Sequence, residues 1–318
     1  MHVRAFLKLG LAVLALSASL TGCGNDHDET VLPAPKNLAQ VASEQGFTAL
    51  GAAVSKAGIA NTLTDPNAQL TVFAPTDAAF NALATRLGFA DATAMVNALP
   101  ATALQSILAY HVLPARRASG DLNAAGTSQA TAYTYAGAPA RLTFDFSNGV
   151  RVTDAALTTA TVTTANVTAS NGVIHVVDKV LVPPGVLNVV QMAQANPQFS
   201  SLVGAVVAAN LQGTLAGAGP FTVFAPTNAA FAAAPQGLTP AQLRTVLTYH
   251  VVGGQVLSTQ IPFGQPVATV AGQNIVINAG TPPTIRDTTT VAARISAVYV
   301  RASNGVIHVV DKVLIPRL

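Results

Sequence analysis

The sequence predicts an α+β fold built twice in tandem, and three observations predict it. First, three blocks recur in the same order. Ala169–Leu181 (ASNGVIHVVDKVL) returns letter for letter as Ala302–Leu314, Thr71–Phe80 (TVFAPTDAAF) as Thr222–Phe231 (TVFAPTNAAF), and Tyr110-His111-Val112 as Tyr249-His250-Val251. Second, each half opens on apolar residues at helical spacing and closes on alternating, β-branched segments, the signatures of helix and half-buried strand. Third, the offset between copies falls from 151 to 139 to 133 residues along the chain. A solenoid would hold one constant and much shorter period. Two globular domains with trimmed loops fit instead, and copies of about 130–150 residues are long enough to bury cores of their own.

Residues 1–22 read as a targeting segment. Arg4 and Lys8 give a short positive region, Leu9–Leu20 is apolar, and Leu20-Thr21-Gly22-Cys23 closes it. That apolar run has twelve residues, whereas a membrane-spanning helix needs about 20, so the segment reads as a cleaved signal. Leu-Thr-Gly-Cys resembles the bacterial lipobox, in which the chain is cut before the cysteine and the thiol is acylated. Cys23 is the chain's single cysteine and the expected lipidation site. Residues 23–35 follow as a polar, proline-punctuated tether. Domain 1 is assigned to 36–184 and domain 2 to 185–318, with Val182-Pro183-Pro184-Gly185-Val186 as a junction stiff enough to restrict their angle.

Within each copy the elements come in the same order. Leu38–Lys56 and Leu187–Ala209 carry helical apolar spacing. Leu70–Ala74 and Phe221–Ala225 are short apolar runs ending in proline and read as buried strands. Thr76 and Thr227 stand where an N-cap belongs, with Asp77 and Asn228 in the first turn. Leu104, Ile107, Leu108 and His111 form an i, i+3, i+4, i+7 line, repeated by Leu243, Val246, Leu247 and His250 behind a Thr239-Pro240 start. Ala160–Thr168 and Gln273–Asn278 alternate as strands do, and Asn171-Gly172 and Asn304-Gly305 are expected to turn a hairpin before the final strand.

Composition excludes several functions. With the signal removed, 14 basic residues face 13 acidic ones, and no cluster exceeds Arg116-Arg117. The basic stripe that nucleic-acid binding requires is absent. Lipidation of Cys23 would leave no thiol for disulfides, catalysis or cysteine-based metal sites, so packing must hold each domain. Gly213–Pro220 (GTLAGAGP) lacks the Lys-Ser/Thr ending of a phosphate loop and reads as a turn.

These blocks together resemble the fasciclin-type (FAS1) domain. Its first motif is similar to Thr71–Phe80, its central Tyr-His pair to Tyr110-His111 and Tyr249-His250, and its closing motif to Asn171–Leu181 and Asn304–Leu314. The resemblance implies two tandem domains, each a wedge-shaped β-sandwich flanked by α-helices. It also implies a role in cell adhesion and surface interaction, with the Tyr-His region engaged by receptors. On that basis Tyr110, His111, Tyr249 and His250 are candidate partner-binding residues. Thr76, Asp77, Thr227, Asn228, His175 and His308 are structural motif positions. Domain 2 departs at Asn228 and is twelve residues shorter between the first two motifs, which puts a partner surface built on the Phe80–Leu99 segment in doubt there.

The residues allow a second reading at several places. His111 and His250 lie on the apolar line of a helix, and His175 and His308 share a strand face with valines, so they read as buried hydrogen-bonding groups. Two histidines per domain fall short of a zinc ligand set. Tyr110 and Tyr249 sit at the shoulder of the apolar line, where a partner-facing tyrosine and an amphipathic boundary tyrosine look alike. Asp178 and Asp311 read as polar positions of alternating strands. No catalytic, cofactor or metal site is expected.

The expected function is a non-enzymatic adhesion or interaction lipoprotein that binds a cell-surface or matrix protein or polysaccharide. It would touch the membrane through its N-terminal lipid only and reside in the cell envelope. Gly24 after the cysteine favours the outer membrane if the host is Gram-negative. The alternative is a carrier of an apolar, carotenoid- or lipid-like small molecule in a groove between sheet and helices.

Overall fold

The computed structural model describes residues 34–318; Cys23, the signal segment and most of the tether lie outside them. Domain 1 opens with three helices, α1 (Leu38–Glu44), α2 (Thr48–Ala57) and α3 (Ala60–Thr64). Strand β1 (Leu70–Pro75) leads to α4 (Asp77–Arg86), α5 (Ala92–Ala98) and α6 (Ala101–Tyr110). Then come β2 (Val112–Leu113), α7 (Ser119–Ala124), β3 (Ser128–Tyr135) and β4 (Ala138–Asp145). The domain closes on β5 (Arg151–Thr153), β6 (Thr159–Ala169) and β7 (Gly172–Val177).

Domain 2 repeats the order with fewer helices. It has α8 (Val189–Ala195), a 3₁₀ turn at Pro197–Phe199, α9 (Ser200–Ala208), α10 (Gln212–Ala216) and β8 (Phe221–Pro226). Next are α11 (Asn228–Ala232), α12 (Pro240–Tyr249), β9 (Val251–Gly253) and a 3₁₀ turn at Ser258–Gln260. The rest is strand: β10 (Pro266–Ala268), β11 (Asn274–Asn278), β12 (Thr284–Arg286), β13 (Ala293–Ala302) and β14 (Gly305–Val310). The shortening between the first two motifs removes a counterpart to α5. Among the described residues no single helix is long and apolar enough to cross a membrane.

The caps explain where the helices start. The side chains of Thr76 and Thr227 accept the N–H groups of Ala79 and Ala230, and Thr239 with Gln242 forms a full capping box ahead of Pro240. The expected single helical span Leu38–Lys56 is two helices, broken at Gly46, whose φ of 76° a side chain would resist. In domain 2 the break falls at Pro197, where the missing N–H and fixed φ end the helix.

Each copy builds one seven-stranded sheet of the same order, β2-β1-β7-β6-β5-β4-β3 and β9-β8-β14-β13-β12-β11-β10. The central pair is parallel, β1 with β7 and β8 with β14. Strands β6 and β13 each carry two register shifts against the final strand, and bulges bend the strand that holds them. The sheet thereby folds back on itself as a sandwich. Its inner face forms a private core, around Phe73, Leu142 and Phe144 in domain 1 and Phe224, Ile275 and Ile285 in domain 2. Alternate residues of β1 and β7, such as Val72, Ala74 and Ile174, face the helices instead.

The helix-side cluster does not stop at the junction. It continues through Val180, Val182, Leu187 and Met192 into the helices of domain 2. Polar contacts follow the same path: Arg86 donates to the Ala195 carbonyl at 3.1 Å, Asn196 to Ala156 at 2.9 Å, and Tyr133 to Pro184 at 3.1 Å. The Arg301 guanidinium lies 5.7 Å from the Tyr135 ring centroid, in range of a cation–π contact. Gly185 passes under the same ring; a Cβ there would stand 2.1 Å from it. Each copy thus owns the core inside its sheet, while the cluster under its helices runs on across the junction.

Candidate functional site

The Tyr-His pair sits at the corner where α6 ends and β2 begins. His111 is the C-cap of α6 and is 2% exposed. The Leu181 N–H donates to its Nε2 at 2.9 Å, and its Nδ1 contacts the Ile107 carbonyl at 2.7 Å. A backbone amide only donates and a carbonyl only accepts, so the ring is neutral with its proton on Nδ1. His250 repeats this with Leu314 N–H at 2.9 Å and the Val246 carbonyl at 2.8 Å. Burial pushes both imidazoles down to about 4, against the smaller opposing effect of those carbonyls. Each histidine therefore ties the end of a helix to the segment just beyond the final strand.

Tyr110 and Tyr249 are 0% exposed. Their hydroxyls cross the sandwich and donate to the carbonyls of Arg141 at 3.0 Å and Asn274 at 2.9 Å. Burial raises both phenols above their ordinary range, with Asp154 and Asp287 adding to the effect. The partner-facing expectation for Tyr110, His111, Tyr249 and His250 is corrected here. Tyr110 and Tyr249 lie in the cores inside their sheets, and both ring nitrogens of His111 and of His250 are taken by interior backbone groups.

His175 and His308 lie on the final strands and stack on Phe73 and Phe224, with ring centroids 5.6 Å apart in both copies. His175 accepts from Asn166 N–H at 3.3 Å through Nδ1, and Nε2 contacts the Arg117 carbonyl at 3.0 Å. The His308 Nε2 contacts Val256 at 2.9 Å. Burial lowers both rings' affinity for a proton. Asp77 accepts the Ala49 N–H at 2.9 Å and the Thr48 hydroxyl, so one carboxylate serves the starts of α2 and α4. Asn228 does likewise through Ser201 N–H at 2.9 Å and adds a bond to the Pro197 carbonyl at 2.9 Å. Asp178 and Asp311 accept the N–H groups of Thr161 and Arg294, each at 2.7 Å.

Two further pairs escaped the sequence reading. Asn171 is not simply a turn residue. It is buried, accepts Leu38 N–H at 2.9 Å, and donates to the carbonyls of Leu63 and Asp65 at 2.9 Å each. Asn304 does the same with Val189, Leu215 and Gly217. The hairpin loop is Ser170-Asn171, not Asn171-Gly172, and Gly172 already pairs with Ala169. The glycine answers a close approach, since a Cβ on it would lie 2.4 Å from the Leu70 carbonyl oxygen. The second pair, Asp154 and Asp287, stands at the same 133-residue offset as the closing blocks, which was the signal available. Asp154 accepts Ala156, Thr158 and Val182 N–H groups and the Thr158 hydroxyl, all at 2.9–3.0 Å.

The histidines, tyrosines and aspartates of the motifs thus make hydrogen bonds inside the protein, mostly to backbone groups. Among the described residues no group of three or more His, Cys, Asp or Glu could hold a metal ion. A model of the fasciclin domain matches residues 45–183 and again 197–316. The chain is 40% identical over 139 residues to protein sll1483 of Synechocystis sp., covering 41% of this chain and 74% of that protein. It is 39% identical over 134 residues to sll1735 of the same organism, covering 40% of this chain and 97% of that one. A solved FAS1 domain pair from the insect cell adhesion molecule fasciclin I aligns with a TM-score of 0.42 and 18% identity, covering 87% of this chain and 95% of that chain.

Proposed function

The chain belongs to the fasciclin domain family, and from that premise we propose that it is a non-enzymatic adhesion or interaction protein acting through its outer surface. The observation that carries this reading is the inward commitment of the motif residues. Both nitrogens of His111 and His175 and both oxygens of Asp154 contact backbone or neighbouring side-chain groups. Such groups shape a scaffold and leave recognition to exposed positions. Those positions on β6 include Thr161, Thr163, Thr164 and Thr168, an uncharged, hydroxyl-rich strand suited to protein or polysaccharide partners rather than nucleic acid. The tied junction presents the faces of both domains together.

Anchoring belongs to the same proposal. Cys23 carries lipid, residues 23–35 are the tether, and domains 36–184 and 185–318 stand off the envelope. Two measurements test this. Cys23→Ser should abolish metabolic acyl labelling and shift the protein from membrane to soluble fraction; a labelled, membrane-bound Ser variant would end the lipoprotein reading. Beads carrying residues 24–318 should retain a saturable partner from matrix or envelope extract that free protein displaces. Retention equal to that on blank beads would end the adhesion reading.

A further inference from the structure

Charge is divided unevenly between the two copies. Residues 36–184 carry eight basic and eight acidic side chains, whereas residues 185–318 carry six basic and two acidic, an excess of four positive charges. Such an asymmetry bears on partners rather than on fold. In domain 2 one of the acids, Asp287, is buried against Lys312 at 2.5 Å, so the excess rests on arginines. Two of these are engaged: Arg244 donates to the Ala209 carbonyl at 3.2 Å, and Arg301 lies over the Tyr135 ring at the junction. The other three, Arg286, Arg294 and Arg317, are exposed. Among the described residues no hydrogen bond or ion pair holds their guanidinium groups.

Strand register gathers these free cations at one surface. Ile277, Ile285, Ala293 and Ile295 turn into the core of domain 2, so the residues alternating with them on β11, β12 and β13 turn outward. Arg294 pairs with Thr284, and Thr284 with Asn278. Arg286 is the next outward residue on β12 and stands diagonal to Arg294, a relation that places neighbours about 7–8 Å apart. Arg317 is held at the start of β11, where its N–H donates to the Gln273 side chain and its carbonyl accepts from it, each at 2.9 Å. In domain 1 the places of Asn278, Thr284, Arg286 and Arg294 are taken by Asp145, Arg151, Thr153 and Thr161. A single arginine there faces an aspartate, and the face is neutral. The neighbouring acid does not make the difference, since Asp178 and Asp311 accept the same backbone N–H in both copies.

We propose that the outer sheet face of domain 2 binds an acidic polysaccharide of the uronate kind, an inference that rests on the surface-adhesion reading and gives domain 2 a ligand that domain 1 lacks. A guanidinium takes a carboxylate through two parallel N–H bonds. Between the arginines, Asn274, Asn278 and Thr284 offer side chains that both donate and accept, as sugar hydroxyls do. An acidic peptide or a phospholipid surface would match the charge and leave those groups without hydroxyl partners. The test uses the full mature chain, calorimetric titration, and short polygalacturonate as probe, with dextran, polyglutamate and phosphatidylglycerol vesicles as comparisons. Polygalacturonate should bind, and bind more weakly as salt is raised. Arg286→Gln/Arg294→Gln should lose at least about tenfold in affinity while keeping the wild-type Tm, and Arg151→Gln in domain 1 should change nothing. No binding to the wild type, binding unchanged in R286Q/R294Q, or an equal loss in R151Q would overturn the site. Equal affinity for dextran would overturn the acidic ligand, and equal affinity for polyglutamate or the vesicles would overturn the polysaccharide. Bead capture from extract separates the two readings. If the wild type retains its partner but ignores polygalacturonate, this proposal fails and the adhesion reading stands.

Discussion

In domain 1 the Asp154 carboxylate takes four hydrogen bonds from uncharged donors, in a loop that domain 2 covers at Ala156. In domain 2 its counterpart Asp287 takes bonds from Thr289 and Ile315 and adds the Lys312 ammonium at 2.5 Å. Burial pushes Asp154 up to about 6 despite its donors. Burial also raises Asp287, but the lysine and the remaining donors outweigh it and leave that group below the ordinary carboxylate range. Domain 1 has a lysine in the matching place, Lys179, yet Asp154 is satisfied by neutral groups. The repeat therefore transmits the position of a carboxylate but not its electrostatic state, which depends on what covers it. At the junction a former domain surface has become interior.

The sharpest way to break that comparison is to remove each carboxylate. Asp154→Ala should strand several buried donors at once and cost about 3–5 kcal/mol. Asp287→Ala leaves a lysine that is a quarter exposed and can turn to water, so it should cost about 1–3 kcal/mol. Urea melts of the two variants decide the order, and equal losses would mean that domain 2 does not seal the Asp154 loop.

Some of this architecture was legible in the sequence and some was not, for physical reasons. The caps at Thr76, Thr227 and Thr239-Pro240 and the strands ending at Pro75 and Pro226 depend on neighbours a few residues away, and those could be read directly. The parallel pairing of β1 with β7 joins segments a hundred residues apart, and no local pattern encodes it. Asn171 looked like a turn residue because its three partners lie on α1, on α3 and just after α3, which only tertiary contact reveals. Tyr110 looked like a shoulder residue on a helical wheel. The folded-back sheet, which burial statistics of one helix cannot show, covers that shoulder.

The histidines give an intermediate effect with a defined sign. His111 and His250 have folded pKa values near 4, below the unfolded value of about 6.5. Between those limits the unfolded chain binds protons that the folded chain refuses. Stability is fully present above about pH 6.5 and falls as pH drops toward 4, by about 1.4 kcal/mol per pH unit for each histidine. Asp154, whose folded pKa is raised to about 6, works the other way below that pH and offsets part of one histidine's loss. His111→Gln should therefore flatten the stability–pH slope between pH 6.5 and 4.5 by one histidine's share, and His250→Gln by the same amount. Denaturant melts at three pH values measure it. A slope unchanged in both variants would mean that neither ring is held neutral.

The smallest effect concerns the tyrosines, and it bears on function. Tyr110→Phe and Tyr249→Phe each delete one hydroxyl bond to a backbone carbonyl, Arg141 in one copy and Asn274 in the other. The ring remains to fill the core, so each change should cost about 1 kcal/mol. The domain-1 ring also meets Tyr133 edge-on at 6.3 Å, a contact the substitution leaves in place, so the two losses should match. Because both hydroxyls are interior, neither change should weaken capture of a partner beyond what the small loss of stability explains. Thermal melts and a bead-binding titration on the same samples separate the two quantities. If Tyr110→Phe weakened capture with no drop in Tm, the hydroxyl would have to reach the partner directly. The Tyr-His corner would then be a recognition surface in domain 1 rather than a tie between helix and sheet, and the likeness of the two copies would break at that point.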